Sequence, residues 1–107
     1  MILATTFEIP GRKTTKVLGI CTGSTVRARH MGRNILAALR GVVGGEIMEY
    51  TKMIAEAREQ AMDRMREHAR SMGANAILGV RFGTAEVMSS AAEIVAYGTA
   101  AVIEEAE

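Results

Sequence analysis

The sequence predicts an α+β domain in which one long helix packs on an antiparallel sheet, and three observations predict it. From Glu46 to Met72 apolar residues recur at helical spacing without a break, after the pair Gly44-Gly45 and before Gly73. Segments that alternate as strands do flank this stretch on both sides. The sole proline, Pro10, lies near the start, so nothing interrupts the long elements. At 107 residues, residues 1–107 form one domain, with a modest core built from alanine, valine, isoleucine and eight methionines.

Each element follows in order. Residues 1–6 are β-prone, and Pro10-Gly11 predicts a turn that starts a hairpin. Lys16 to Arg27 reads as a strand, with Leu18, Ile20, Thr22, Ser24 and Val26 on one side and Val17, Gly19, Cys21, Gly23 and Thr25 on the other. Two glycines at strand spacing on one face predict that another backbone or helix packs close to them. Ile35, Leu36, Leu39, Val42 and Val43 suggest a short amphipathic helix before the glycine pair.

The long helix would span about 40 Å at 1.5 Å per residue. A compact chain of this size has a radius of gyration of only about 13 Å, so the helix crosses the domain or reaches a neighbour. Its apolar arc gathers Ile47, Ile54, Ala57, Ala61, Met62, Met65, Ala69 and Met72, opposite Lys52, Glu56, Glu59, Asp63, Arg66, Glu67 and Arg70. Arg58 projects near the middle of that arc. Two readings follow: its stem snorkels to the edge, or its guanidinium pairs with a carboxylate of the sheet or of another subunit. Gly73 suits a left-handed helix stop. Ala76 to Ala85 is then a strand with Leu78, Val80 and Phe82 on one side, a polar turn follows near residues 88–91, and Glu93 to Ile103 closes the sheet. Glu104 to Glu107 is expected to fray.

The net charge of +1 conceals a split. Between Ile9 and Gly45 no acid occurs, while Arg12, Lys13, Lys16, Arg27, Arg29, Arg33 and Arg40 all do. Acids dominate from Glu46 onward. Either oppositely charged elements or subunits meet, or the basic stretch binds an anion, with Arg27 and Arg29 as candidates. Nucleic acid is disfavoured because no aromatics are interleaved to stack on bases. No apolar run approaches the ~18 residues of a membrane span, and a single cysteine accords with a reducing compartment, so a cytoplasmic location without a membrane partner is expected.

The order and spacing of LGICTG, Val43-Gly44-Gly45, Tyr50 in EYTKM, AREQAMDRM, Gly73-Ala74-Asn75-Ala76 before ILGVRF, and AEIVAYGTAAVI resemble the YbjQ-like family from Ile9 to the end. That family consists of uncharacterised bacterial and archaeal proteins and carries a heavy-metal-binding description. The resemblance implies a β-α-β-β core similar to the dodecin subunit and a homo-oligomeric ring, a pentamer. Glu46 stands where some members have Arg, so no role transfers to it.

Heavy metal makes Cys21, His30 and His68 the ligands to weigh. No CxxC, HxxxH or HxH pair exists, and a closed site needs about four ligands. A ring would bring copies of Cys21 together if they faced its axis; otherwise Cys21 is a small hydrophobe. His30 is a weak candidate, and His68, near Tyr50, suits a packed or half-exposed imidazole. Met48, Met53, Met62, Met65 and Met72 have core-filling spacing rather than that of a copper site. A phosphate site at Gly44-Gly45 is opposed by Glu46 and by the missing Lys-Ser/Thr of a P-loop. No serine lies in a GxSxG context, no histidine has a partner at informative spacing, and Glu59 and Asp63 belong to a solvated face. The expected function is therefore a non-enzymatic oligomeric ligand-binding protein with a heavy-metal ion as the first cofactor to test, or else an anion binder through residues 12–40, or a purely structural assembly.

Overall fold

The computed structural model describes residues 1–27, 44–88 and 91–106, with side chains over 1–26, 51–86 and 92–106. The expected short helix before Gly44 and the tip of the turn at 89–90 lie outside the described residues. The elements are β1 (Ile2–Leu3), β2 (Arg12–Arg27), α1 (Gly44–Ser71), β3 (Ala76–Met88) and β4 (Ala91–Glu105). They form one sheet in the order β1-β3-β4-β2, with α1 against one face. The α+β class and the dominant helix agree with expectation.

The sheet is mixed rather than purely antiparallel, because β1 pairs parallel to β3. The expected hairpin between the first two strands therefore does not form. After β1 the chain continues along β3, where Ala4 N–H donates to Ile77 O (3.0 Å) and Gly79 N–H to Thr6 O (2.9 Å), and then crosses to the opposite edge to begin β2. A local turn signal at Pro10-Gly11 does not reveal which strand the preceding residues will join.

Among the described residues the strand pairing shifts register at Thr14–Lys16, Val17–Gly19, Leu78–Arg81 and Glu86–Met88, and the second and third of these correct the expected strand faces. Between Val17 and Gly19 one extra residue is inserted, so Leu18 packs on the cluster beneath the helix while Val17 is left exposed on the other face. Between Leu78 and Arg81 the third shift, with Gly79 at φ 62°, places Leu78 and Val80 in different clusters. Simple alternation fails at both points. The acidic tail also does not fray early: Glu104 and Glu105 continue β4, opposite Lys13 and Arg12.

The helix ends as its sequence predicts. Gly73 has φ 90°, Ala74 N–H donates to Ala69 O (3.1 Å) and Gly73 N–H to Arg70 O (3.0 Å), the paired bonds of a Schellman stop. Asn75 then works as a strand surrogate. Its side-chain amide donates to Ile103 O (2.9 Å) and accepts from Ile103 N–H (2.8 Å), joining the turn to β4.

The main core lies between α1 and the sheet. Ala57, Ala61, Met65 and Ala69, four residues apart, bury one narrow stripe against Cys21, Ile77, Ile94, Ala96 and Ala100. That stripe is narrower than the predicted arc, so Arg58 on its flank is exposed. Among the described residues no carboxylate pairs with it, so of the two readings the one that paired it with a carboxylate of its own sheet is not met. Small side chains on both elements let the backbones approach, most closely at Gly23, where a Cβ would lie 2.2 Å from Met65 N and 2.3 Å from Ala61 O. The expectation drawn from the glycine spacing is met. A second cluster, Ala76, Leu78, Ala101 and Ile103 with Ile9, sits on the opposite face.

Candidate functional site

Among the described residues, three places bring chemically capable side chains together. The first is the seam between α1 and the free edge of β2. Four residues apart on the helix, Arg64 and His68 reach over that edge: Arg64 Nη1 donates to Ser24 O (2.5 Å), and His68 Nδ1 accepts from Thr22 N–H (3.0 Å). Thr25 Oγ1 donates to Ala57 O (3.2 Å) farther along. Backbone groups that an edge strand would leave to water are thus taken by the helix. Nothing in the sequence marked Arg64, since its role depends on which strand lies beside its flank.

Cys21 lies behind the seam, completely buried, with its thiol directed at Gly98 O (3.6 Å). Burial pushes the thiol up from its ordinary value, offset in part by a backbone hydrogen bond. It is therefore held as a protonated small hydrophobe beneath its own helix, not presented to a neighbouring copy. A thiolate ligand would need the opposite environment.

The second place is an open groove of about 1240 Å³ on the face away from the helix. Its wall is the segment from Thr5 to Gly11, a strap over the sheet, and its floor includes Val17, Leu78, Thr99 and Ile103. Arg81 fastens the strap by donating to Thr5 O (3.0 Å) while its guanidinium lies 5.8 Å from the Phe7 ring centre. Phe7 in turn rests where Gly79 has no side chain, since a Cβ there would be 2.6 Å from the ring. Arg12 stands exposed at the rim, while Lys13, paired with Glu104 next to the floor residue Ile103, is exposed with its side chain on the other face. Although Glu105 and Glu104 face them in register, neither makes an ion pair among the described residues. The arrangement offers a largely apolar floor with the Arg12 guanidinium at its rim and the Glu8 carboxylate in its wall, a combination suited to a ligand with an apolar body and a small polar or charged group.

The third place is a shallow charged surface on the helix, where Arg66 pairs with Asp63 at 2.7 Å beside Arg64, Glu67 and Arg70. It is a solvated face, as its sequence suggested.

Of the residues singled out in the sequence, His30 and Arg29 lie outside the described residues, as does the side chain of Arg27, whose backbone ends β2. The basic segment is therefore represented by Arg12, Lys13 and Lys16, all exposed on β2. A heavy-metal site does not fit what is described: no group of three or more His, Cys, Asp or Glu converges. His68 Nδ1 is occupied by a backbone N–H, and Cys21 is buried and protonated. Phe7 and Arg81 carry no signal in the sequence because their pairing depends on the missing Cβ of Gly79, far from Phe7 in the chain. No helix among the described residues is long and apolar enough to cross a membrane.

Comparison with known proteins assigns the chain to a family. A family model described as "Putative heavy-metal-binding" matches residues 1–104. The UPF0145 protein of Methanosarcina acetivorans is 56% identical over 103 residues, covering 96% of this chain and 97% of the relative. That of Pyrococcus horikoshii is 54% identical over 107 residues, covering 100% and 92%, and one from Thermus thermophilus is 56% identical over 106, covering 98% and 93%. None of these names carries an activity. A crystal structure of a protein of unknown function from Pediococcus pentosaceus, of the DUF74 family, superposes with a TM-score of 0.57 at 19% identity, covering 97% of this chain and 98% of that one. At that identity the likeness concerns the fold alone. With a family model over nearly its whole length and relatives above 50% identity, this chain belongs to the YbjQ family of UPF0145 proteins.

Proposed function

We propose that the chain is the subunit of a homo-oligomeric, non-catalytic binding protein of the cytoplasm, with the groove beneath the strap as its ligand site. The observation that carries this reading is the conjunction of Arg12, without an ion pair among the described residues, with an apolar floor in one groove of about 1240 Å³. It favours an anionic ligand with an apolar portion. This is a narrower form of the anion reading drawn from the basic segment, and it leaves nucleic acid without the aromatic platforms that stacking needs. Catalysis has little to work with, since Cys21 is held protonated and His68 is engaged by backbone. The family description makes a heavy-metal ion the rival ligand.

The oligomer is proposed as a ring of five, the number the family resemblance implies. Arg58, solvated on the single subunit, is proposed to lie at the seam between subunits, where a partner carboxylate would receive it. Native mass spectrometry of the untagged full chain tests both parts together. A pentamer retaining a small non-metal ligand, lost on Arg12→Ala substitution, is the expected result. Stoichiometric metal found by elemental analysis across a metal panel would overturn the ligand assignment, and a monomeric mass would overturn the ring. Unchanged mass and melting point for Arg58→Ala would remove that residue from the seam.

A further inference from the structure

We infer that the ligand of the groove is elongated and carries at one end an aromatic ring, which stacks on the open face of Phe7. The inference rests on the groove reading above and names the class of molecule it takes. Phe7 lines the groove and is 70% exposed. A lone exposed apolar side chain is ordinary on a protein surface, but this one is held from several directions. Before it in the chain, Val80 N–H donates to Ala4 O (3.0 Å), Arg81 Nη1 to Thr5 O (3.0 Å) and Gly79 N–H to Thr6 O (2.9 Å). Thr6 Oγ1 then donates across it to Glu8 O (2.7 Å). The ring rests by Cε1 and Cδ1 where Gly79, at φ 62°, has no side chain. The Arg81 guanidinium lies over one face, 5.8 Å from the ring centre. With that face and one side taken, the exposure that remains lies on the opposite face. A ring fixed before the ligand arrives loses little freedom on binding. The cation behind it also draws on its π-electrons, so the free face suits a second aromatic ring better than a second cation.

The rest of the groove argues against a purely aliphatic ligand. Leu78 and Ile103 of the floor are already buried, with Ile9 of the strap packed on their cluster, so an alkyl chain finds little bare apolar surface on them. Phe7 offers more. Charge then orients the ligand. Glu8 stands in the wall next to Phe7, where it repels an anionic group, and Arg12 stands at the rim beyond the Pro10-Gly11 turn; no ion pair joins the two among the described residues. The chain from Phe7 to Arg12 spans at most about 17 Å. A ring at Phe7 and an anionic group at Arg12 therefore need a spacer of several atoms between them. One platform holds one ring, so the site does not extend to a run of stacked bases.

The test compares phenylhexanoate, with its ring on the terminal carbon, and the cyclohexyl counterpart of the same length and charge, each titrated calorimetrically into the full chain. The saturated ring is the more hydrophobic of the two, so a preference for the phenyl acid reports stacking. An aromatic pair contributes enough for about a two- to tenfold preference, and the phenyl acid should bind at least about threefold tighter. Phe7→Leu, at a mostly exposed position, should keep the melting temperature and abolish the preference. In the wild type, nuclear Overhauser contacts should join the phenyl protons to the Phe7 ring. Equal affinities for the two acids, a preference that survives Phe7→Leu, or contacts to some other aromatic residue would overturn the aromatic ring. If both acids nevertheless bound and both were weakened by Arg12→Ala, the groove reading would stand without it. Binding of neither acid would overturn both.

Discussion

Replacing Gly23 with alanine adds one methyl group at the point where helix and sheet come closest. That methyl would lie 2.2 Å from Met65 N, 2.3 Å from Ala61 O and 2.7 Å from Arg64 C. These are atoms of a helix backbone, which cannot swing aside as a side chain can. Ordinary contact begins at 3.4 Å, so α1 must retreat by about 1.2 Å. A gap of 0.5–1 Å forfeits roughly a quarter to a half of the dispersion energy along its length, here over Ala57, Ala61, Met65 and Ala69, all at or near zero exposure. Overpacking alone costs about 1–3 kcal/mol. The bonds from Thr22 N–H to His68, from Arg64 to Ser24 O and from Thr25 to Ala57 O span the same seam, and each contributes about 0.5–1.5 kcal/mol. A total loss of about 3–5 kcal/mol follows, a large part of the roughly 5–15 kcal/mol that holds a domain folded. At about 4–8 °C per kcal/mol, thermal unfolding followed by circular dichroism should show a fall of about 12 °C or more. Protein concentration must be held constant, because assembly contributes to the midpoint. Gly83→Ala is the control: its nearest neighbour is the side chain of Val95 at 3.3 Å, which can yield. A Gly23→Ala protein melting within about 2 °C of wild type would refute the close approach and with it the packing of α1 on β2.

Three further outcomes are expected. Cys21 should resist thiol reagents in the native protein and react at once on unfolding. Because burial raises its folded-state pKa above the ordinary 9.0, its stabilising share is complete below about pH 9 and is lost as pH rises toward the folded value, so urea midpoints of the wild type should fall above pH 9 more steeply than those of Cys21→Ala; equal slopes would contradict this. Asn75→Ala removes both bonds to Ile103 and should cost about 1–3 kcal/mol in urea unfolding, with an effect below about 0.5 kcal/mol speaking against the strand-surrogate role. In His68→Ala the Thr22 amide should exchange with solvent at least tenfold faster by hydrogen-exchange NMR; unchanged protection would mean that something other than the imidazole covers that edge.

Much of the fold was legible because its signals are local. The helix bounds, the stop at Gly73 and the close approach at Gly23 follow from periodicity and from residues with special backbone freedom. Strand faces were legible only as far as the first irregularity. At Val17–Gly19 and Leu78–Arg81 a bulge reverses alternation, and a bulge is stabilised by the neighbouring strand and the layer above it, which no local window contains. The site was less legible still. Cys21 could be singled out as the only thiol, but whether it is a ligand or a hydrophobe depends on the helix packed over it. The basic stretch was visible as charge, while the groove that gives Arg12 a floor exists only because residues 4–11 cross from β3 to the far edge.

The amino-acid order by itself determined the α+β class, one dominant helix, its apolar stripe, its C-terminal stop and the family. Those properties are set by side-chain spacing within a few turns or by similarity along the whole chain. Tertiary structure alone decided that β1 joins β3 in parallel, that Arg64 and His68 guard the edge of β2, that Arg58 faces solvent in the subunit, and that the strap of residues 4–11 covers one end of the sheet face turned away from the helix. Each of these depends on contacts between residues tens of positions apart, whose energies appear only once the chain has closed on itself.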